Sequence, residues 1–488
     1  MAISKNVDAN IAVFQKRLDC EHNFDIVYRT LIIGGKQACM FFIDGFIKDD
    51  IVTKIMEHFY LLDDPKLLAS AHTFSHHCIP YCEVGLNDDV ESLLTNILSG
   101  MLILFVEGFD KAVEIDARTY PQRSTSEPDK DKTFRGSRDG FVETLVLNTA
   151  LIRRRIRYPG LCVEHMQLGE LSKTDIALCY IGSRCDQQLL NTIRDKIQTS
   201  HIQALTMNQE TLAEVLLPHK WYNPFPKFKY TERPDTAAAQ LLEGDIVLLV
   251  DNSPQAMILP VTLFDIVEEA NDYYFPPLTG TYLRLTRLFT ALFTLLFTPL
   301  WLYFLSNPQL IPPWLSFITL KETPQVPVIV QLILLELAID GLRLASLNTP
   351  NMLTTSLSMI GAIVVGDFAV QSGWFSPETM LYMAFVAIAT HTQPGYELGY
   401  ALKFMRLMLL ILTALFPIWG FWLGIGLIFV ILLSNKTIGR KSYLYPLIPF
   451  NYKDLRKKFC ASRSIENKRP PAQQVIVLSG RAFILSFR

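Results

Sequence analysis

The stretch LFTALFTLLFTPLWLYFL (Leu288–Leu305) contains no charged residue. A helix of about 20 mainly apolar residues is long enough to cross the hydrocarbon core of a bilayer. Four more strongly apolar blocks follow before the charged tail begins near Lys436, whereas the first 280 residues resemble ordinary water-soluble sequence. This order predicts a soluble α/β region of two small mixed subdomains followed by a polytopic α-helical membrane domain.

The charge and cysteine content indicate a compartment but no partner. The chain has 488 residues, a formal net charge of −2 and eight cysteines without regular spacing. Scattered cysteines suit a reducing compartment, where a free thiol behaves as a small apolar side chain. A near-zero net charge neither favours nor excludes any class of partner.

The two ends of the chain predict its orientation. The first 25 residues lack the apolar core of a secretory signal. The segment 436–488 contains twelve Lys and Arg against only Asp454 and Glu466, and basic segments beside apolar helices stay in the cytoplasm. We therefore expect both ends and the soluble domains in the cytoplasm, with an even number of crossings.

Changes in composition divide the chain into six parts. Short strands flank the turn-forming pair Gly34-Gly35, and the polar stretch PQRSTSEPDKDKTFRGSR has almost no apolar residue. The predicted parts are an N-terminal arm (1–23), α/β subdomain 1 (24–120), a linker (121–138), α/β subdomain 2 (139–280), a transmembrane domain (281–435) and a basic cytoplasmic tail (436–488).

The membrane domain is expected to hold four to six helical segments. The block Met380–Ala389 is short, and the block Phe404–Leu433 is too long for one comfortable crossing. Arg284 and Arg287 precede the first block as a cytoplasmic anchor. Trp301 and Tyr303, near its far end, are expected to form an outer aromatic belt.

The second apolar block, Val326–Ala345, carries charged residues. Glu336, Asp340 and Arg343 are spaced i, i+4, i+7, which places them on one helical face. Ionisable groups at membrane depth are costly unless they are paired or face water. We interpret this face, together with Asp367 after the third block, as a candidate ion pathway, because Arg343 can neutralise only one of the two carboxylates. The alternative is an internal ion pair that only holds helices together.

The segment that contains several histidines and cysteines favours an ordinary structural role. His72, His76, His77, Cys78 and Cys82 are metal-ligand types, but their overlapping spacing departs from that of zinc sites and favours a structural loop. The sequence also offers no catalytic constellation, so we expect neither an enzyme nor a cofactor.

The triplet Arg153-Arg154-Arg155 ends a predicted helix. Cations complement the negative end of a helix dipole. Nucleic-acid binding would need more basic and aromatic residues nearby, and these are lacking. A helix terminus or a subunit interface is therefore favoured over a nucleic-acid site.

Several segments resemble the GerA family of spore germination A subunits. The family signatures are matched by GSRDGFVETLVLNTALIRRRI (136–156) and YTERPDTAAAQLLEGDIVLLVDNSPQAMILP (230–260), and DYYFPP, QPGYELGYALKFMR and YLYPLIPF also recur. The likeness spans about residues 24–458. Within the family the chain is most similar to a paralogue encoded with a sporulation operon. The family more often has Glu where this chain has Asp340, so the carboxylate is kept.

The resemblance implies a protein of the spore inner membrane. Such A subunits look like oligomeric, pentameric ion channels, and the sporulation paralogue pairs with a small membrane partner and amplifies ion release after germinant receptors respond. We therefore expect a channel subunit that releases monovalent cations during germination. The alternatives are a nutrient-receptor A subunit working with B and C subunits, a non-conducting signalling scaffold, and a transporter.

Overall fold

The computed structural model describes residues 2–47, 49–64, 66–120, 136–218, 222–269, 271–348, 369–393, 395–435, 437–439 and 442–459. These residues form two compact units. The first comprises 2–218 and 228–260, and the second comprises 222–227 and 261–459. Each unit has its own apolar core and is described separately.

The first half of unit 1 is an antiparallel sheet with helices. Its elements are α1 (Val7–Leu18), β1 (Ile26–Ile33), β2 (Lys36–Ile43), α2 (Asp49–Tyr60), α3 (Ala71–His77), β3 (Val84–Asn87), α4 (Val90–Leu98), β4 (Leu102–Val106) and β5 (Ala112–Ile115). The strand order is β1-β2-β4-β5-β3. Gly34 and Gly35 turn β1 into β2 with φ of 50° and 81°, a conformation that glycine adopts readily.

The second half of unit 1 repeats this plan. Its elements are α5 (Leu145–Arg155), β6 (Leu161–Leu168), β7 (Thr174–Ile181), α6 (Gln187–Thr199), α7 (Gln209–Leu216), β8 (Lys229–Thr231), α8 (Pro234–Glu243), β9 (Ile246–Val250) and β10 (Ala256–Leu259). The strand order β6-β7-β9-β10-β8 is the order of the first sheet. The α/β fold predicted for both halves is thus confirmed.

The predicted domain boundaries within this unit stay predictions. Most of the predicted linker, residues 121–135, lies outside the described residues.

Unit 2 is helical. Its elements are α9 (Leu263–Val267), α10 (Asn271–Tyr274), α11 (Pro277–Ser306), α12 (Val328–Asn348), α13 (Ala369–Gln371), α14 (Pro377–His391), α15 (Tyr396–Leu415), α16 (Gly420–Ser434) and α17 (Tyr452–Phe459). Two of the described helices, α11 and α15, are long and apolar enough to cross a membrane, and α16 is a shorter apolar helix. The third apolar block of the sequence lies outside the described residues.

Side-chain contacts show which helix ends lie together. The Asn307 amide, just after α11, donates to the carbonyl of Pro417, just after α15, at 2.8 Å. The backbone N–H of Ser376, before α14, donates to Gln331 near the start of α12 at 2.9 Å. The Trp301 indole donates to the carbonyl of Ile318 at 2.9 Å. One end of the bundle is therefore built by the end of α11, the start of α12, the start of α14 and the end of α15.

The prediction that Trp301 and Tyr303 form an outer aromatic belt is wrong. Trp301 is only 3% exposed and stacks edge-to-face on Tyr382, with ring centroids 4.8 Å apart. Tyr303 is buried against Phe421. Both rings face neighbouring helices, because α14 and α16 pack where the sequence of α11 alone suggests lipid.

Candidate functional site

The centre of unit 2 contains a buried ion pair between α12 and α15. Glu336 is 2% exposed, and Arg406 of α15 donates to its Oε1 from Nε at 2.7 Å and approaches it from Nη2 at 2.5 Å. The remaining guanidinium nitrogen, Nη1, donates to the backbone carbonyl of Thr294 in α11 at 2.9 Å. Arg406 thus connects three helices.

Lys403, one turn earlier on α15, lies between the two carboxylates of α12. Its Nζ makes a short ion pair with Asp340, lies 3.6 Å from Oε2 of Glu336 and donates to the Glu336 carbonyl at 3.2 Å. The Asp340 side chain is 29% exposed, far more than that of Glu336. The cluster of Glu336, Asp340, Lys403 and Arg406 therefore holds two negative and two positive charges and has one accessible carboxylate.

Arg343, predicted to neutralise one carboxylate, is placed differently. Its guanidinium lies over the ring of Tyr400, 5.3 Å from the centroid, in a cation–π contact. The other predicted pathway residue, Asp367, lies outside the described residues. The two carboxylates are instead neutralised from α15, and their role in an ion pathway stays a proposal.

Several polar groups of α11 lie near Arg406. Pro299 lies inside this helix and has no N–H, so the helical hydrogen bond to the carbonyl four residues earlier is lost. Arg406 donates to the adjacent carbonyl of Thr294. One turn beyond Thr294, the buried Thr298 hydroxyl has no hydrogen-bond partner within the described part of the chain. Polar groups thus line α11 beside the ion pairs.

Sequence reasoning missed Lys403 and Arg406, although a signal was present. The two cations are three residues apart in YALKFMRLMLLIL, at the start of an apolar block. Spacing of i, i+3 places them on one helical face, as for the acids of α12. Two helices with opposite charges at membrane depth are expected to pair, because an unpaired charge there is costly.

A second charged cluster lies at the start of α11. Arg284 contacts Glu268 at 2.8 Å and Asp272 at 3.3 Å, and Arg287 donates to Asp272 at 3.0 Å. Both arginines are buried, so their ion pairs lie inside the unit, and their role as a cytoplasmic anchor stays a prediction. Lys458 of α17 lies 3.3 Å from Glu268, which ties the last described helix to the same cluster.

The arginine triplet has three different environments in unit 1. Arg153 is fully buried and makes an ion pair with Asp25. Arg154 is exposed, with its guanidinium 4.6 Å from the centroid of the Tyr120 ring, and Arg155 pairs with Asp139 at 2.5 Å. The contacts of Arg153 lie inside the chain. A subunit interface at Arg154 and Arg155 stays a prediction.

The histidine-rich segment forms the short helix α3. His72 and His76 are exposed, with ring centroids 4.4 Å apart, whereas Cys78 is buried. Among the described residues no group of three or more His, Cys, Asp or Glu side chains is arranged to hold a metal ion.

The comparisons with known proteins define the class of this protein. The family model described as Bacillus/Clostridium GerA spore germination protein matches residues 14–472. The chain therefore belongs to the GerA family of spore germination proteins.

Individual relatives cover nearly the whole chain. Stage V sporulation protein AF of Bacillus subtilis (strain 168) is 38% identical over 457 residues, which are 93% of this chain and 92% of that protein. Spore germination protein KA of the same organism is 28% identical, covering 92% and 83%. Spore germination protein GerLA of Bacillus cereus is 26% identical, covering 89% of each.

One solved structure is also similar. It is the crystal structure of the N-terminal domain of the A subunit of the Bacillus megaterium spore germinant receptor GerK3, with 24% identity and a TM-score of 0.38. The match covers 53% of this chain and 96% of that domain.

Proposed function

We propose that this chain is an oligomeric membrane channel subunit that releases monovalent cations during spore germination and amplifies the response of germinant receptors. The observation that carries the proposal is the cluster of Glu336, Asp340, Lys403 and Arg406, which places four ionisable groups between helices of an apolar bundle. The membership of the chain in the GerA family supports a role in germination.

The cost of such a cluster favours a role beyond holding helices together. Desolvating two ion pairs consumes much of the Coulomb energy that they gain, and apolar side chains of similar volume often stabilise a core equally well. Ionisable groups at membrane depth accordingly mark ion or proton pathways. The uneven exposure of Glu336 and Asp340 gives the cluster one structural and one accessible carboxylate.

The proposed mechanism is a gate made by α12 and α15. In the closed state of this gate, Lys403 occupies the place beside Asp340 that a cation would take. Tilting α15 so that Lys403 moves away from Asp340 removes this ammonium and exposes the carboxylate to an entering cation, while Arg406, one turn further along α15, remains beside Glu336. Glu336 stays paired with Arg406, so the helices keep one fixed contact during opening.

The remaining parts of the proposal concern location and partners. The protein would span the spore inner membrane several times, with its soluble domains in the cytoplasm, as a homo-oligomer such as a pentamer. A small membrane protein and germinant receptor complexes are the proposed partners, together with the lipid bilayer, and no nucleic acid. The named relatives are sporulation and germination proteins, which supports a non-enzymatic role.

A nutrient-receptor A subunit is the second candidate function. Relatives named as spore germination proteins KA and GerLA support it. The higher identity of 38% to stage V sporulation protein AF favours the amplifying role.

A flux assay tests the proposal. The full chain is purified, reconstituted into potassium-loaded liposomes and followed with a potassium-sensitive dye. We expect cation release that Asp340→Asn reduces and that Glu322→Gln, a matched neutralisation of an exposed carboxylate, leaves unchanged. Liposomes that retain their potassium with every variant would identify a non-conducting scaffold. Release only against a counter-substrate would identify a transporter.

A further inference from the structure

Three loops at one end of unit 2 carry exposed tryptophans. These loops are residues 307–320, 372–376 and 416–419, and they contain Trp314, Trp374 and Trp419. Trp314 is 74% exposed and Trp419 70%. The contacts from Asn307 to Pro417 and from Ser376 to Gln331 place all three loops at the same end of the bundle.

The longest of these loops presents a compact apolar face. Residues Pro313–Ile318 form a 3₁₀-helix, in which side chains three positions apart eclipse one another. Trp314 and Phe317 therefore point to one side, and Phe317 is 71% exposed. The Trp301 indole fixes the end of this helix by donating to the carbonyl of Ile318. The exposed face is thus held in place by a buried contact.

Composition indicates what covers this surface. The segments 307–320, 372–376 and 416–419 contain no charged residue, and Lys321 and Glu322 follow the first segment directly. Tryptophan is amphipathic and is enriched where the hydrocarbon of a bilayer meets its headgroups. The loops also connect helices whose exposed apolar side chains, such as Phe289, Phe385 and Leu427, would face lipid tails. Exposed apolar side chains at one end of a bundle indicate a binding surface.

We propose that the loops 307–320, 372–376 and 416–419 insert into the headgroup boundary of a lipid bilayer, with Trp314 and Phe317 as the principal anchor. The inference rests on the membrane assignment in the proposed function. It assigns the aromatic belt to loop residues, in place of the buried Trp301. The anchor fixes the depth of one end of α11, α12, α14 and α15, so that movement of α15 occurs as tilting about this end.

Lipid-borne quenchers test the anchor. The full chain is prepared with Trp301 and Trp314 as its only tryptophans, the other four being replaced by Phe, so that the contact from Trp301 to Ile318 is kept. A matched control keeps only the buried Trp301, and the difference between the two gives the signal of Trp314. Both are reconstituted into phosphatidylcholine vesicles that carry a nitroxide either at the headgroup or deep in the acyl chain. We expect the headgroup nitroxide to quench Trp314 at least twofold more than the deep one, and more than it quenches Trp301.

The outcomes separate this inference from the membrane assignment. Loss of the protein from the vesicles in an alkaline wash would overturn both. If the protein is retained and aqueous acrylamide alone quenches Trp314, the loop lies in water and the anchor is wrong. If no quencher reaches Trp314, another protein surface covers it, and the anchor is again wrong.

A second variant keeps the other five tryptophans. Trp314→Ala with Phe317→Ala in the otherwise unchanged chain should reduce the quenching of total tryptophan fluorescence by the headgroup nitroxide. Unchanged quenching would contradict the proposal.

Discussion

Asp25 and Arg153 lie 128 positions apart in the sequence and meet in an ion pair with two hydrogen bonds of 2.9 Å each. The exposed fractions of the two side chains are 1% and 0%. Arg153 also donates to the Leu161 carbonyl at 3.0 Å and to the Asn23 side chain at 3.1 Å. Because Asp25 precedes β1 and Arg153 lies in the last turn of α5, this pair joins the two halves of unit 1.

Loss of this pair should destabilise unit 1. Replacing Arg153 by Met leaves the Asp25 carboxylate buried without a cation, which typically costs about 3–5 kcal/mol in the free energy of unfolding. Arg17→Met is the matched control, because Arg17 pairs with Glu91 on the surface, where a pair contributes about 0–1 kcal/mol. Chemical unfolding of the detergent-solubilised chain, followed by circular dichroism, measures both. Equal losses would show that the buried pair has no special role.

The two carboxylates of α12 should respond differently to neutralisation. Glu336→Gln leaves Arg406 buried without its anion, so we expect a several-fold drop in protein level. Asp340→Asn alters the more exposed carboxylate, so we expect normal protein level and lower selectivity for cations over anions. Immunoblotting and ion flux in the same strain measure both effects. Normal abundance with unaltered cation flux in both variants would remove the pathway role.

Cysteine reactivity should follow burial in unit 1. Burial raises the pKa of the Cys39 thiol to about 12 and the pKa values of Cys20 and Cys185 to about 11. At pH 8 their reactive thiolate fraction is therefore small, and it grows about tenfold for each pH unit. Cys82 is exposed. In a Cys460→Ser background, iodoacetamide should modify Cys82 at least tenfold faster than these three, as read by peptide mass spectrometry.

The unfolded chain provides the control for this prediction. In denaturant the differences between cysteines should vanish. Rapid native modification of Cys39 would mean that the first sheet opens readily.

The orientation of unit 2 predicts which sites an external reagent reaches. A version with Leu310→Cys as its only cysteine should react with a membrane-impermeant maleimide in intact cells, since the loop after α11 is expected outside. A version that keeps only Cys460 should react after permeabilisation alone. Labelling of both positions from the same side would contradict an even number of crossings.

Local signals predicted unit 1 well. The Gly34-Gly35 turn and the apolar strands beside it are determined by neighbouring residues, and the structure pairs Ile33 with Lys36 across this turn. The alternation of strands and helices likewise follows from short-range periodicity.

Contacts between distant segments account for what the sequence missed. Lys403 and Asp340 are 63 positions apart, and no property of α12 alone specifies which helix supplies its cation. Trp301 is buried because Tyr382 of α14 covers its ring. For the same reason, the sequence of a single helix does not show whether an aromatic residue is buried or faces lipid.

The repeated strand order of unit 1 makes it a tandem of two equivalent layers. Within the described residues both halves run helix, two strands, two helices, strand, helix, two strands, and both sheets place their third strand at the edge. Each half of unit 1 is therefore a complete layer of five strands with its own helices. The buried pair of Asp25 and Arg153 fastens two layers of equal topology to each other.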